Sequence, residues 1–486
     1  MKRISHINFT RNVGLVGVTQ LLVKLRGIFL LPIIAKTLGV FQYGLWSQII
    51  VTVSLFTPFI TMGLLSSITR FLSAEKNKKE IQEGLYSSLI TIFFFGLIFG
   101  AILFLLSDYL AITIFNSIDS KILIKISSLI IIIAALDEAL LQFFRAQRRI
   151  KLYSGLLIFE SFCELALIGI LILLGFELFS AVFALLIIKF IIFIIMISKI
   201  ILEFGLKKPN FSKLKSYFIF GLPLMPSVIF GWVINFSDRY VIGYYFDNSY
   251  VGVYSASYNI GTLILFFVTP ISIVLYPTIL KLWKEKKIGQ VKTYFNYSLK
   301  YFLMLSIPSA VGLSLLSKPI LKVFTTSQFL SGAILIPIIS ISAIFYGIYM
   351  ITMYVFGMIK KPKIIGMLLC ISAFINIIIN LFIIPIIGII GASISTLISF
   401  LFLSILMYWL AIFHVNFFID CWFIIKSLFS ALIIAFLIII IDPISVLDIV
   451  ITIIISIFVY FSVLLILKSF KENELVLFRD IFKIKK

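Results

Sequence analysis

Ionisable side chains are what this chain has least of. Charged residues fill 13% of its 486 positions, and only 20 are acidic. Histidine occurs twice, as His6 and His414, and cysteine three times, as Cys163, Cys370 and Cys421. Residues so far apart have no metal-ligand spacing, so a zinc site or a histidine-based catalytic site has no candidates. The three thiols lie in or beside apolar runs and read as buried free cysteines, which leaves out a disulfide framework. No phosphate-cradling P-loop stands in any polar segment. The largest polar stretches are 204–216 and 468–486, too short to fold alone. No catalytic residue, metal or cofactor is therefore expected, and no enzymatic activity.

What the chain has in abundance is apolar length. Apolar residues make up 62% of it, and the mean hydropathy is +1.20. A helix needs roughly 20 apolar residues to cross roughly 30 Å of hydrocarbon. About fourteen such runs recur between Asn12 and Leu467, by a hydropathy window of about 19 residues. The expectation is an all-α, polytopic membrane protein. The basic start of the chain leads into a run too long, and too poor in small residues, for a cleaved signal peptide. It is read as a retained first helix.

The formal net charge is +21, but its placement argues against nucleic acid. Basic residues fill alternate connections, as in Lys76, Lys78 and Lys79, then Arg145, Arg148, Arg149 and Lys151, then Lys207, Lys208, Lys213 and Lys215. The intervening loops Gly175–Leu178, Pro385–Gly388 and Asp442–Val446 carry none. Cytoplasmic loops collect Lys and Arg, so this is a topology signal. It places both termini in the cytoplasm of a multi-pass cell-membrane protein, which requires an even number of spans. A secondary role in holding anionic lipid headgroups is compatible with it.

A short echo divides the chain. Tyr43-Gly44-Leu45-Trp46-Ser47 resembles Val251-Gly252-Val253-Tyr254-Ser255, each opening a span that follows a proline-containing one. Duplicated helix bundles are a transporter hallmark. With six spans per unit the repeats are parallel. The expected organisation is an N-terminal six-helix lobe (1–203), a basic cytoplasmic linker (204–216), a C-terminal six-helix lobe (217–413), two peripheral helices (414–467) and a basic cytoplasmic tail (468–486).

Charges inside spans are costly and mark cavities or ion pairs. Lys24 and Arg26 fall mid-way along the first span, about 200° apart around the helix. One is expected to line a cavity and the other to pair with a neighbouring helix. Asp238 and Arg239 fall in the seventh span; being adjacent they need not pair, and the guanidinium fork suits a phosphate. Glu160 and Glu164 share one face of the fifth span, with Lys189 of the sixth as partner. They form either a structural charge network or an ion-coupling site. Asp137 and Glu138, ahead of Arg145 and Arg148, read as a solvated salt-bridge cluster. Asn376 and Asn380 mark one face of the eleventh span for interhelical hydrogen bonds. Pro223 and Pro226 loosen the seventh helix.

Several strings together resemble the polysaccharide flippases, of the O-antigen or Wzx-like type, within the multidrug/oligosaccharidyl-lipid/polysaccharide exporter superfamily. They are Leu38-Gly39-Val40-Phe41-Gln42-Tyr43-Gly44-Leu45-Trp46-Ser47, Phe220-Gly221-Leu222-Pro223-Leu224-Met225-Pro226-Ser227, Ser237-Asp238-Arg239-Tyr240-Val241-Ile242-Gly243, Val251-Gly252-Val253-Tyr254-Ser255-Ala256 and Asn380-Leu381-Phe382-Ile383-Ile384-Pro385-Ile386-Ile387-Gly388-Ile389-Ile390-Gly391-Ala392-Ser393. The resemblance implies two six-helix lobes around a cavity and rocking alternating access. It also implies a polyprenyl-(pyro)phosphate-linked oligosaccharide carried from the cytoplasmic to the outer leaflet. Lys24, Arg26, Asp238 and Arg239 would then contact the substrate. Glycan polymerases and glycosyltransferases of the same pathway are the implied partners, beside membrane lipids. The alternatives are a cation-coupled multidrug exporter, which would concentrate acidic groups in its cavity, and a peptidoglycan-precursor flippase. A membrane glycosyltransferase or polymerase is disfavoured by the short outer loops.

Overall fold

A computed structural model describes residues 2–73 and 75–470, with side chains from Gly14 onward. The expected tail lies outside the described residues from 471, as do the side chains of Lys2, Arg3, His6 and Arg11. The described chain is helical throughout, without a strand. Twelve of its helices are long and apolar enough to cross a membrane. The protein is a multi-pass membrane protein.

The helices are α1 (Lys2–Thr61), α2 (Leu64–Leu72), α3 (Lys78–Leu105), α4 (Ser107–Thr113), α5 (Ser120–Ala146), α6 (Ile150–Leu173) and α7 (Leu178–Phe204). They continue with α8 (Leu214–Gly221), α9 (Met225–Tyr245), α10 (Asn248–Gly261), α11 (Val268–Lys284), α12 (Ile288–Leu315) and α13 (Ser317–Phe324). The last are α14 (Leu335–Thr352), α15 (Tyr354–Met358), α16 (Pro362–Ile387), α17 (Ile389–Val415), α18 (Cys421–Ile441) and α19 (Val446–Ile466). They fall into two compact units. One holds Met1–Asn259, Phe324–Phe329 and Lys361–Ser399; the other holds Ile260–Val323, Leu330–Lys360 and Phe400–Lys486.

The first two expected spans are joined in one element. α1 runs through the first, Asn12–Thr37, and through most of the second, Tyr43–Leu72, broken only at Gly39, whose φ of 80° lies outside the helical region. An L side chain pays for that conformation and glycine does not. The second expected span, to Leu72, does not end as one helix. Met62 (φ 45°) and Gly63 (φ 76°) turn the chain, and α2 starts afresh at Leu64. In the first unit α6 packs on α1 and α7, α5 on α1, α3 and α7, and α9 on α16.

In the second unit the last two helices have two different faces. One is exposed, including Leu432, Phe436 and Phe458, as suits lipid. The other packs onto α12, where the Tyr460 hydroxyl donates to Met304 O at 2.8 Å and lies 2.7 Å from Ser427 Oγ. The end of α19 is closed by a lysine. Lys426 Nζ of α18 donates to Leu467 O at 2.7 Å and to Lys468 O at 3.3 Å. A cation at a helix C-terminus satisfies orphan carbonyls and opposes the negative end of the dipole. Lys426→Met should therefore lower the thermal midpoint, at a cost of about 1 kcal/mol, read by size-exclusion of heated detergent extracts. An unchanged midpoint would leave the cap without a role in stability.

Candidate functional site

The intramembrane charges of the first unit sort into three arrangements. The first is a ladder across α1, α6 and α7. Glu160 and Glu164, one turn apart on α6, are 5% and 2% exposed. Arg26 of α1 pairs with Glu164, and Lys189 of α7 pairs with Glu160. The helix spacing puts both carboxylates on one face, and each takes its cation from a different neighbour. Arg26 thus joins the network for which the sequence offered only Lys189. Its side chain stays 34% exposed, and among the described residues neither its Nε nor Glu164 Oε1 has a hydrogen-bond partner. Lys24 is half-buried on the same helix.

The second arrangement is Asp238 with Arg239, 1% and 3% exposed. Adjacency had suggested that they need not pair; they do. Asp238 Oδ1 folds back to accept the Arg239 amide at 2.9 Å, and the long arginine stem brings Nη1 to the same oxygen at 2.8 Å. Arg239 Nη1 also donates to Asn235 O at 2.7 Å, and the Tyr254 hydroxyl donates to Asp238 Oδ2. The guanidinium lies 4.3 Å from the Tyr258 ring centre, 5.3 Å from Phe236 and 5.4 Å from Tyr254. Aromatic faces attract cations most strongly where water is absent. Nearby, Asn376 of α16 donates to Ser395 Oγ at 3.2 Å and accepts from Ser237 Oγ at 3.3 Å and from Asn380 Nδ2 at 3.1 Å. This is the interhelical hydrogen bonding expected of that face.

The third corrects the sequence reading of Asp137 and Glu138. No solvated cluster forms. Asp137 is 1% exposed, and neither of its oxygens has a hydrogen-bond partner among the described residues. Arg145 lies eight residues on, about 12 Å along the helix axis, and is exposed. α5 packs on α1, α2, α3 and α7, and Asp137 falls on its enclosed side while the Arg145 side chain points away from its buried neighbours Phe143, Phe144 and Ala146.

Glu138 opens into a cavity of about 370 Å³ among α1, α2, α5 and α9. Ser54, Thr57 and Thr61 line it from α1. Their i, i+3, i+7 spacing keeps three hydroxyls on one helix face. Gly231, Trp232 and Phe236 line it from α9. The Trp232 indole N–H donates to Ser54 Oγ at 2.9 Å, and the Trp232 and Phe236 rings stand 6.0 Å apart, tilted by 41°. Sequence reasoning passed over these residues because it looked for charges. The signal was present as hydroxyls at one-face spacing in an otherwise apolar stretch.

The pentapeptides that echo each other in sequence meet in space. Gly44 of α1 and Gly252 of α10 are in backbone contact, where an added Cβ on either would run into the other helix's main chain. Ser47 Oγ donates to Ser255 Oγ at 2.7 Å, and Asn259 Nδ2 donates to Tyr43 Oη at 3.0 Å. Within a bilayer, small residues let backbones approach and hydroxyls bridge them.

Long apolar helices, ion pairs between them and a cavity lined with hydroxyls define a helical, multi-pass membrane protein. The whole chain follows one solved structure closely: a "Lipid II flippase MurJ, inward closed conformation" superposes with a TM-score of 0.76 over 98% of this chain and 100% of that one, at 20% identity. An "inward-facing conformation of a multidrug resistance MATE family transporter" gives 0.69 over 82% and 98%, at 14% identity. The chain belongs to the polysaccharide biosynthesis protein family, whose family model matches residues 9–283. A MatE family model matches residues 223–382. Among curated proteins it is 24% identical over 196 residues to the "probable low-salt glycan biosynthesis flippase Agl15" of Haloferax volcanii, covering 40% of this chain and 42% of that one. It is 28% identical over 189 residues to the "probable flippase AglR" of the same organism, covering 36% and 39%. These matches span about two fifths of the relatives' own lengths.

Proposed function

We propose that this protein is a flippase for lipid-linked oligosaccharide, moving a polyprenyl-(pyro)phosphate-bound glycan from the cytoplasmic to the outer leaflet by alternating access. The observation that carries the reading is the cavity beside Glu138. A run of hydroxyls and two aromatic rings inside an apolar helical unit matches the surface of a sugar, which offers hydroxyls at its rim and C–H groups on its faces. The substrate's lipid tail can stay in the bilayer. The flippase names of its relatives support the same class. Lys24 and Arg26 face the charge requirement of the phosphate in this reading, with Arg26 exchanging part of its bond to Glu164 for substrate. Asp238 and Arg239, sequestered together, position α9 and its cavity wall. Glu160, Glu164 and Lys189 hold α1, α6 and α7 in register as a structural network. Two lobes with cytoplasmic termini in the cell membrane, following the basic loops, complete the proposal. Pathway polymerases and glycosyltransferases are the partners it implies.

Asp137 and Glu138 favour one second reading, a cation-coupled exporter, because unneutralised acidic groups near a cavity suit a cationic drug. The test compares movement of a polyprenyl-pyrophosphate oligosaccharide and of a small organic cation in proteoliposomes. Protein-dependent movement of the glycolipid alone is expected. Movement of the cation alone would replace the flippase reading with the second.

A further inference from the structure

We propose that the cavity beside Glu138 binds one sugar unit of the cargo and selects it by charge: it accepts an amino-bearing or neutral hexose and rejects a uronic acid. This rests on the flippase reading and narrows it.

Size comes first. Ligand pockets run from about 300 to 1,000 Å³, so a cavity of about 370 Å³ suits one small unit of a glycan. The direction of the wall's hydrogen bonds comes next. Ser54 Oγ donates to Val51 O at 2.7 Å, and Thr57 Oγ1 donates to Val53 O at 3.1 Å. A hydroxyl has one proton and two lone pairs. With their protons turned back to the helix, Ser54 and Thr57 face the cavity as acceptors, while Thr61 and Ser66 add two further hydroxyls to its wall. The indole N–H, the natural donor of the site, is taken up by Ser54. Glu138 adds a carboxylate, and among the described residues it makes no hydrogen bond or salt bridge. The cations acting on it are Lys189, which is engaged by Glu160, and the exposed Arg145.

Among the described residues lining the cavity Glu138 is the one acidic group, no basic side chain lines it, and the acceptors of Ser54 and Thr57 stand on the same wall. Hydroxyls and an ammonium group have protons to give them. A uronate carboxylate has none, and it would find Glu138 and no basic side chain among the described residues lining the cavity. Leaving such groups unpaired is what makes a polar pocket discriminate strongly. The tilted Trp232 and Phe236 rings supply apolar surface for the sugar's C–H faces.

Gly231 provides a test that spares the fold. A Cβ added there meets nothing within 4 Å, and replacing a mid-helix glycine removes an entropic cost of folding. Gly231→Phe should fill the cavity without displacing backbone.

The experiment uses full-length protein in nanodiscs, with hexyl glycosides of glucose, 2-amino-2-deoxyglucose and glucuronic acid as probes. Binding is read by tryptophan fluorescence. The amino and neutral glycosides should bind, and the glucuronide should bind at least tenfold more weakly. Glu138→Gln should bring the ratio of amino-glycoside to glucuronide affinity close to one. Gly231→Phe should abolish binding of all three with an unchanged thermal midpoint. Glucuronide bound as tightly as glucoside, or wild-type binding by Gly231→Phe, would overturn the proposal. The two readings fail separately. If wild type and Gly231→Phe both translocate the lipid-linked glycan at the same rate, this subsite is wrong and the flippase reading stands. If wild type binds the probes by charge as described but translocates no glycolipid, the subsite stands and the flippase reading falls.

Discussion

Gly44→Val and Gly252→Val should each cost most or all of the folded protein, the largest loss expected from any single substitution here. A Cβ on Gly44 would strike the Asn248 carbonyl, with Gly252 N at 3.0 Å behind it, and a Cβ on Gly252 would strike the Val40 carbonyl, with Gly44 N at 3.2 Å. A side chain in the way can rotate; a carbonyl in a helix cannot. Overpacking costs about 1–3 kcal/mol where neighbours can yield, and main chain does not yield, so the cost lies at the top of that range or above it. Separating the helices also breaks Ser47 from Ser255 and Tyr43 from Asn259. The check is the yield of monodisperse protein and its thermal midpoint, with Gly155→Ala as control because nothing lies within 4 Å of a Cβ there. Gly44→Val protein as stable as the control would mean that the two helices do not make this contact in the membrane. Gly44→Ala and Gly252→Ala should fall between, since one methyl already meets the same atoms.

The second large effect is expected at Arg239. Arg239→Met leaves Asp238, 1% exposed, with a charge and no cation. Removing one partner of a buried ion pair costs about 3–5 kcal/mol, whereas replacing both can be nearly neutral. Arg239→Met should therefore lose several kcal/mol on that scale, and the double variant Asp238→Asn with Arg239→Gln should recover much of it. The Tyr254 hydroxyl, which serves Asp238 Oδ2, can serve an amide oxygen as well. Lys24→Ala offers the contrast: half-buried, it should leave the thermal midpoint near wild type while slowing glycolipid translocation. Thermal midpoints and transport rates of the four proteins decide the matter. A stable Arg239→Met protein that transports nothing would move Arg239 from the scaffold to the substrate contacts.

The two predictions treat residues that look alike in the sequence in opposite ways. Arg26, Arg239 and Lys24 are all cations within apolar runs, and hydropathy alone gives each the same interest. Their surroundings separate them: Arg26 has Glu164 on one side and 34% of its side chain exposed, while Arg239 is closed in by Asp238 and three aromatic rings. The same applies to acids. Glu160 and Asp137 are both buried carboxylates, yet one has Lys189 and the other no hydrogen-bond partner among the described residues.

By itself the sequence determined that the protein is an all-helical, multi-pass membrane protein of the polysaccharide biosynthesis protein family. The physical reason is that an apolar run of bilayer length leaves a backbone no alternative to an internally bonded helix. It also put Glu160 and Glu164 on one helix face by their i, i+4 spacing and offered Lys189 as a partner for the two, without saying which of them the lysine meets; the structure pairs it with Glu160. Tertiary structure alone decided what lies between helices. It made one kinked helix of the first two spans as far as Thr61, brought the two echoing pentapeptides into contact, and closed Asp238 onto Arg239. It buried Asp137 and gathered Ser54, Thr57, Thr61, Trp232 and Glu138 around one cavity. Those outcomes depend on which helix faces pack together, and side-chain periodicity fixes the faces of a helix without naming the neighbour each one meets.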